Sequence, residues 1–268
     1  MLRKKIFLLF IFQLSVLSSY CQKEKQILNA EYIEKSVVKI TPGMFAGKYE
    51  VNNWLYRQFI NDLSIQKKKN ELEIARIDST GWLQQPVYIA ALSKQYHTDK
   101  QYDEFPVVNI TYEAANLFCE WLTQKYNSFP DRKYNKVSIR LPKEVEWIQA
   151  AKGKNPGSIY PTGPGLKNKD SIPMANYKRT DLPVWNNPNM PDPGDLLMLA
   201  PVKSYWPCSY GIYNMAGNAA EMIAEKGVTK GGGFIDTELA MYLESKGQMQ
   251  AQASHIGFRY FLFLSDQK

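Results

Sequence analysis

The chain has 268 residues, 33 of them Lys or Arg against 26 Asp or Glu, giving a formal charge of +7; 44% of it is hydrophobic and 13% aromatic. That length and apolar content exclude a disordered or fibrous chain and suit one large domain or two small ones. No dense basic block alternates with aromatic residues, and Lys67, Lys68 and Lys69 read as a solvated turn, which speaks against nucleic acid as a partner.

Met1 to Lys5 form a basic segment, and Ile6 to Leu17 an apolar run too short to settle as a membrane span. Residues 1–21 are therefore predicted to be a secretory signal peptide, and the protein to be exported to the periplasm or cell surface. Two processing routes compete at its end: ordinary cleavage near Cys21 or Gln22, or lipid attachment at Cys21. Tyr20 is bulky where a lipoprotein signal wants a small residue, so cleavage without a lipid anchor is expected. Loss of Arg3, Lys4 and Lys5 would leave a charge of about +4. No second long apolar run follows, so no transmembrane segment is expected. Once Cys21 is removed, Cys119 and Cys208 remain. Cys119 reads as a small buried thiol on a helix, and a bridge between the two stays open.

Residues 22–45 read as a polar amino-terminal arm and residues 46–268 as the domain. Ala46 to Val51 is predicted to be a first strand with a glycine bend, and Asn52 or Asn53 caps the helix after it. Leu55, Phe59 and Leu63 recur every four residues and give that helix one apolar face. Lys67 to Asp103 reads as a polar surface excursion with one short helix, punctuated by Gly81 and Pro86. Thr111 is the predicted cap of a second helix, whose Ala114, Phe118, Trp121 and Leu122 share one side. Ser138 to Leu141 is a short strand, and Pro142 suits the first turn of a third helix that stops at Gly153. Glu144 and Glu146 favour that helix's amino terminus, and Arg140 is read as a structural partner for them. From Asn155 to Pro201 prolines and asparagines are too frequent for regular elements. Helices early and short strands late imply an α+β fold.

The densest set of binding-type residues is Gly211 to Glu221, which packs glycines, asparagines and one carboxylate into a short polar segment. Around it lie Phe105 to Tyr112, Arg140 to Trp147, Gly231 to Phe234, and Gly257 to Arg259. In this order the segments resemble the formylglycine-generating enzyme, or sulfatase-modifying factor, family, from about Gly47 to Phe261. The resemblance implies a loop-rich variant of the C-type lectin fold. It also implies structural calcium, an ion that wants about six to eight hard oxygens. Asn214, Gly217, Ala219 and Glu221 match one calcium site of the family. Asn176 and Tyr177 match the first half of another, with Asp195 and Leu197 as the second half and Asp192 in competition. Asn218 is expected to tie its turn together by hydrogen bonds.

The family's oxidation chemistry uses two thiolates that bind monovalent copper. Alignment on Gly231 to Phe234 puts Asp236 and Met241 at those two positions, and neither can form a thiolate, so copper is not expected. His97 and His255 are the only histidines, far apart in sequence, and offer little for an iron site. Arg259 is read as bracing the fold through carbonyls or a carboxylate. Asp236, Met241, Tyr242 and His255 lie on segments that shape the family's groove, with Trp185 and Trp206 on loops that approach it. The resulting expectation is an exported, non-catalytic domain that binds a protein or peptide in the bacterial envelope. The resemblance extends to members found in gliding-motility and type IX secretion assemblies. Two other readings stand beside it: an oxidoreductase of the family's type with altered active-site chemistry, and a calcium-dependent glycan-binding module.

Overall fold

A computed structural model describes residues 26–84, 91–179 and 198–265. The predicted signal peptide with Cys21, and Pro86, Trp185, Asp192, Asp195 and Leu197, lie outside the described residues.

Helix α1 (Ala30–Lys35) leads into strand β1 (Val37–Thr41), which pairs antiparallel with β2 (Met44–Gly47). The described part of the arm is thus built into a sheet, with Ile33 and Val37 buried in the main core. The first predicted strand is shifted: β2 ends at Gly47, where an added Cβ would meet the Tyr260 carbonyl at 2.9 Å. The chain leaves the sheet there and turns Glu50 inward.

Asn52 caps α2 (Asn53–Ile65), its side chain accepting the Leu55 N–H at 2.9 Å, and Leu55, Phe59 and Leu63 are all buried. After α3 (Lys69–Ile74) the segment expected to lie on the surface instead contributes Trp82 and Tyr96, both fully buried with ring centroids 4.7 Å apart. Thr111 caps α4 (Tyr112–Ser128) by accepting the Ala114 N–H at 3.0 Å. Phe118 on its buried face meets Phe59 and Phe258 edge-on, at 5.6 and 5.3 Å, and packs beside Trp121. After β3 (Val137–Arg140), helix α5 (Glu144–Lys152) starts later than expected, with Pro142 outside it. Lys143 has no capping oxygen. The Lys143 N–H donates instead to Glu146 Oε2 at 2.7 Å, a carboxylate that Arg140 also grips at 2.7 and 2.8 Å.

The remaining strands among the described residues are β4 (Ala220–Met222), β5 (Val228–Lys230), β6 (Gly247–Gln248), β7 (Ile256–Phe258) and β8 (Phe261–Leu264). They complete two four-stranded sheets of order β1-β2-β8-β3 and β6-β5-β4-β7. The first is antiparallel throughout; in the second, β4 and β7 run parallel. Residues 259 and 260 join β7 of one sheet to β8 of the other, so Arg259 stands where the sheets meet. Cys119 and Cys208 are free and buried in different core clusters, which closes the question of a bridge.

Truncating Phe118 to Ala should cost about 3–5 kcal/mol, because it empties an aromatic junction of helix and sheet. Denaturant midpoints check this against Val145→Ala, on an exposed site of α5, which should stay within about 0.5 kcal/mol of wild type.

Candidate functional site

The 211–221 loop is held by backbone geometry that its residue types permit. Asn214, Gly217 and Asn218 have φ of 52°, 74° and 66°, the left-handed region that Gly and Asn tolerate best. Gly217 is also pressed against its neighbour, since a Cβ there would lie 2.2 Å from the Asn176 carbonyl oxygen. Asn218 ties the turn as expected. Its Oδ1 accepts from Asn176 Nδ2 and from the Ala200 N–H, at 3.1 and 2.8 Å, and its N–H donates to the Asn176 carbonyl at 2.7 Å.

Glu221, on β4, is buried and faces Arg259. Arg259 Nε donates to both Glu221 oxygens at 2.7 Å, and its Nη2 donates to Oε1. Trp147 Nε1 donates to Glu221 Oε2 at 2.7 Å. The other guanidinium hydrogens reach the Gly47 carbonyl at 3.0 Å and the Tyr213 carbonyl at 2.8 Å. Arg259 therefore braces the fold through two carbonyls and a carboxylate together.

A second buried carboxylate, Glu50, was not singled out by sequence reasoning. Its Oε2 accepts from Asn214 Nδ2 at 2.8 Å, and its Oε1 accepts from Asn218 Nδ2 at 3.0 Å and the Ala219 N–H at 3.2 Å. Burial pushes Glu50 up to about 8, against the lowering effect of Arg259 and helped by the like charge of Glu221. The signal available in sequence was slight: an acid between Tyr49 and Val51, where strand alternation would turn it outward.

Calcium can be tested on these groups. Asn214 Oδ1 is buried without a partner, as a ligand oxygen would be. Glu221, the other side-chain ligand, takes three N–H donors, from Arg259 Nε, Arg259 Nη2 and Trp147 Nε1, and has a guanidinium at its side. That positive charge and those donors compete with a cation for the carboxylate in this arrangement. In the second predicted site, Asn176 donates through its amide nitrogen to the Met198 carbonyl at 2.8 Å and to Asn218 Oδ1 at 3.1 Å, bonds that do not use the oxygen a metal would take, and Asp195 and Leu197, its other half, lie outside the described residues.

The four predicted groove residues separate. Met241 is fully buried with Tyr160, Leu166, Ala175, Tyr177 and Ala216, packed against Gly232, and so cannot meet a partner at the surface. Asp236 accepts the Gly233 N–H at 2.8 Å. His255 is half-buried, its Nδ1 has no partner, and burial lowers its pKa against the opposing charge of Asp236. Tyr242 stacks on Tyr160, with centroids 4.4 Å apart, and lines an open groove of 520 Å³ with Ile148, Ile159 and Leu243. His97 lies elsewhere, between Trp82 and Asn53, and burial holds it neutral at about 3.

Together the two small sheets, the long loops and the Arg259–Glu221 brace define an α+β protein of the formylglycine-generating-enzyme-like fold, a C-type lectin variant. The family model for the sulfatase-modifying factor enzyme 1-like domain matches residues 20–262, and the chain belongs to that family. Bovine (Bos taurus) formylglycine-generating enzyme is 26% identical over 182 residues, 58% of this chain and 43% of that protein. The bovine protein named inactive C-alpha-formylglycine-generating enzyme 2 is 29% identical over 143 residues, 50% of this chain and 40% of that one. The chain thus spans less than half the length of these two relatives. The crystal structure of CarF, 20% identical, superposes with a TM-score of 0.54 over 83% of this chain and 87% of that one, which supports the fold alone.

Two outcomes follow from the buried acids. The folded value of Glu50 lies near 8 and its ordinary value at 4.5, so the folded chain binds this proton more tightly. Its contribution to stability is complete below about pH 4.5, declines as pH rises toward about 8 and is level above. Denaturant titrations should show that Glu50→Gln removes this decline, whose slope approaches about 1.4 kcal/mol per pH unit midway between those limits. Because Glu221 is satisfied by Arg259, excess chelator should leave the melting temperature unchanged; a fall reversed by added calcium would restore the metal reading.

Proposed function

We propose that the protein is an exported, non-catalytic member of the sulfatase-modifying factor family that holds a protein or peptide partner in the bacterial envelope. The observation that carries this reading is the open groove beside Tyr242. Its volume of 520 Å³ suits a short peptide segment, and Ile148, Ile159, Tyr242 and Leu243 give it an apolar wall with Lys152 and Glu244 beside them. Ile159 and, on the neighbouring turn, Leu239 are 50% and 65% exposed, which is the exposure expected of residues that await a partner.

The non-catalytic half of the proposal rests on side-chain chemistry. Copper-dependent oxidation of a cysteine needs a thiolate pair. Asp236 is tied to the Gly233 N–H, Met241 is sealed in an apolar cluster, and the described cysteines lie in two separate cores. The existence of a relative named inactive is compatible with this. A partner belonging to a gliding-motility or type IX secretion assembly is the class that the sequence resemblance favours.

A second reading draws on His255, whose Nδ1 is buried without a partner while the charge of Asp236 acts on it. An imidazole and a carboxylate so placed could serve altered chemistry in the same family site.

One pair of assays separates the two. With the native chain as bait in a cross-linked envelope fraction, wild type should capture a discrete partner that Ile159→Asp loses, with melting temperatures alike. The same preparation, given monovalent copper, oxygen and a cysteine peptide, should yield no hydrazide-reactive aldehyde. Aldehyde formation that His255→Ala abolishes would favour the enzyme, and equal capture by both baits would remove the groove from the account.

A further inference from the structure

The groove beside Tyr242 has two walls of different origin. α5 and the loop after it supply Ile148, Lys152 and Ile159, and residues 242–245 supply Tyr242, Leu243 and Glu244. On α5, Val145, Ile148 and Lys152 follow one another at intervals of three and four residues, so they share one face of the helix. Val145 is 71% exposed, so the apolar strip of this face extends beyond the groove, and Lys152 closes its carboxyl-terminal end.

The charges of the groove are uneven. Lys152 is half-buried, and among the described residues no carboxylate pairs with it; Glu146 and Glu144 of the same helix are taken, the first by Arg140 and the second by Lys230 and Lys246. Lys48, Lys125 and Lys230, likewise withdrawn from full exposure, each place the ammonium on an oxygen: the Lys35 carbonyl at 2.7 Å, Asp62 at 2.7 Å and Glu144 at 3.3 Å. Glu244, the acid of the opposite wall, acts on Lys230 and Lys246. The charge left without a counterpart in the lining is therefore the Lys152 ammonium. Its place in the last turn of α5 also suits the helix dipole, an attraction that is blind to what lies in the groove.

An anion that answers Lys152 could be a side chain or a chain terminus. Capture of a terminal carboxylate uses a nest of backbone donors, and three N–H groups of the lining are already engaged: Ser158 with the Asn155 carbonyl at 3.2 Å, Leu243 with Ile159 at 2.9 Å and Ser245 with Tyr242 at 3.0 Å. A side-chain carboxylate needs no such nest. Ile148 and Lys152 are four residues apart, about 6 Å along the helix axis. An extended peptide covers about 6.6 Å in two residues and turns residues i and i+2 to the same side.

We propose, resting on the peptide-binding reading of this groove, that its preferred partner is an extended segment in which an acidic side chain stands two residues from an aliphatic one. The aliphatic side chain packs on Ile148, Ile159 and Leu243, and the carboxylate pairs with Lys152.

The test is a titration of the isotope-labelled native chain, followed by amide resonances of Ile159, Leu243 and Glu244. Three probes are blocked at both ends, Leu-Ala-Glu, Leu-Ala-Gln and Leu-Glu-Ala; the fourth, acetyl-Leu-Ala, ends in a free carboxylate. Leu-Ala-Glu should bind about fivefold more tightly than Leu-Ala-Gln or Leu-Glu-Ala, and more tightly than the free-ended probe. Lys152→Met should erase this preference while Leu-Ala-Gln binds as before, and Lys152→Glu should reverse it. A lysine that serves only the helix end would lower the melting temperature of both variants and leave the order of the probes unchanged. That result, equal binding of the Glu and Gln probes, equal binding of the shifted probe, or tighter binding of the free carboxylate would each overturn the proposal while the peptide groove stands. Binding by none of the four would remove both.

Discussion

The contact between Arg259 and Glu221 is the interaction on which the rest of the structure depends. Burying two charges is costly, and the cost is offset only where hydrogen bonds are many and well directed. Here the guanidinium spends its donors on one carboxylate and two carbonyls, and the carboxylate receives Trp147 as well. The partners come from the end of β2, the 211–221 loop, β4 and α5, while Arg259 itself joins the two sheets. A fold with so little regular structure needs such a tie, because its long loops carry few ladder hydrogen bonds of their own. The same tie bears on the role of the loop, since N–H donors and a guanidinium already hold the carboxylate that a metal ion would have to share.

Glu50 is the counterpart of this arrangement. One guanidinium faces two buried acids and settles on Glu221, so Glu50 is left with amide donors alone. Desolvation then dominates, and Glu50 keeps its proton to a higher pH than an exposed carboxyl would. Glu50 and the scaffold of the loop are one network, joined through Asn214 and Asn218.

Much of the fold was legible in sequence wherever its cause is local. Asn52 and Thr111 cap helices because a side-chain oxygen reaches an N–H two or three residues on, and the helical spacing of Leu55, Phe59 and Leu63 directly records the buried face. The bracing role of Arg259 was legible because a guanidinium within the fold must spend its donors on carbonyls or a carboxylate. Non-local features were hidden. Trp82 and Tyr96 have no periodicity, so nothing in their neighbourhood announces that they fill a core. The buried state of Met241 depends on Tyr160, Ala175 and Ala216, which lie far from it in the chain. Matching Glu221 to a ligand position identified the right loop. Its partner, Arg259, lies 38 residues further on, and only folding brings the two together.

If the Arg259–Glu221 pair, rather than an ion, closes the loop between the sheets, a double-mutant cycle in denaturant tests it most directly. Arg259→Met alone should cost about 3–5 kcal/mol, because it leaves Glu221 buried and unpaired. Adding Glu221→Gln, which removes that charge while keeping an acceptor for Trp147, should recover about 2 kcal/mol or more of the loss. Additive effects of the two substitutions would contradict the pairing and return the loop to some other fastening.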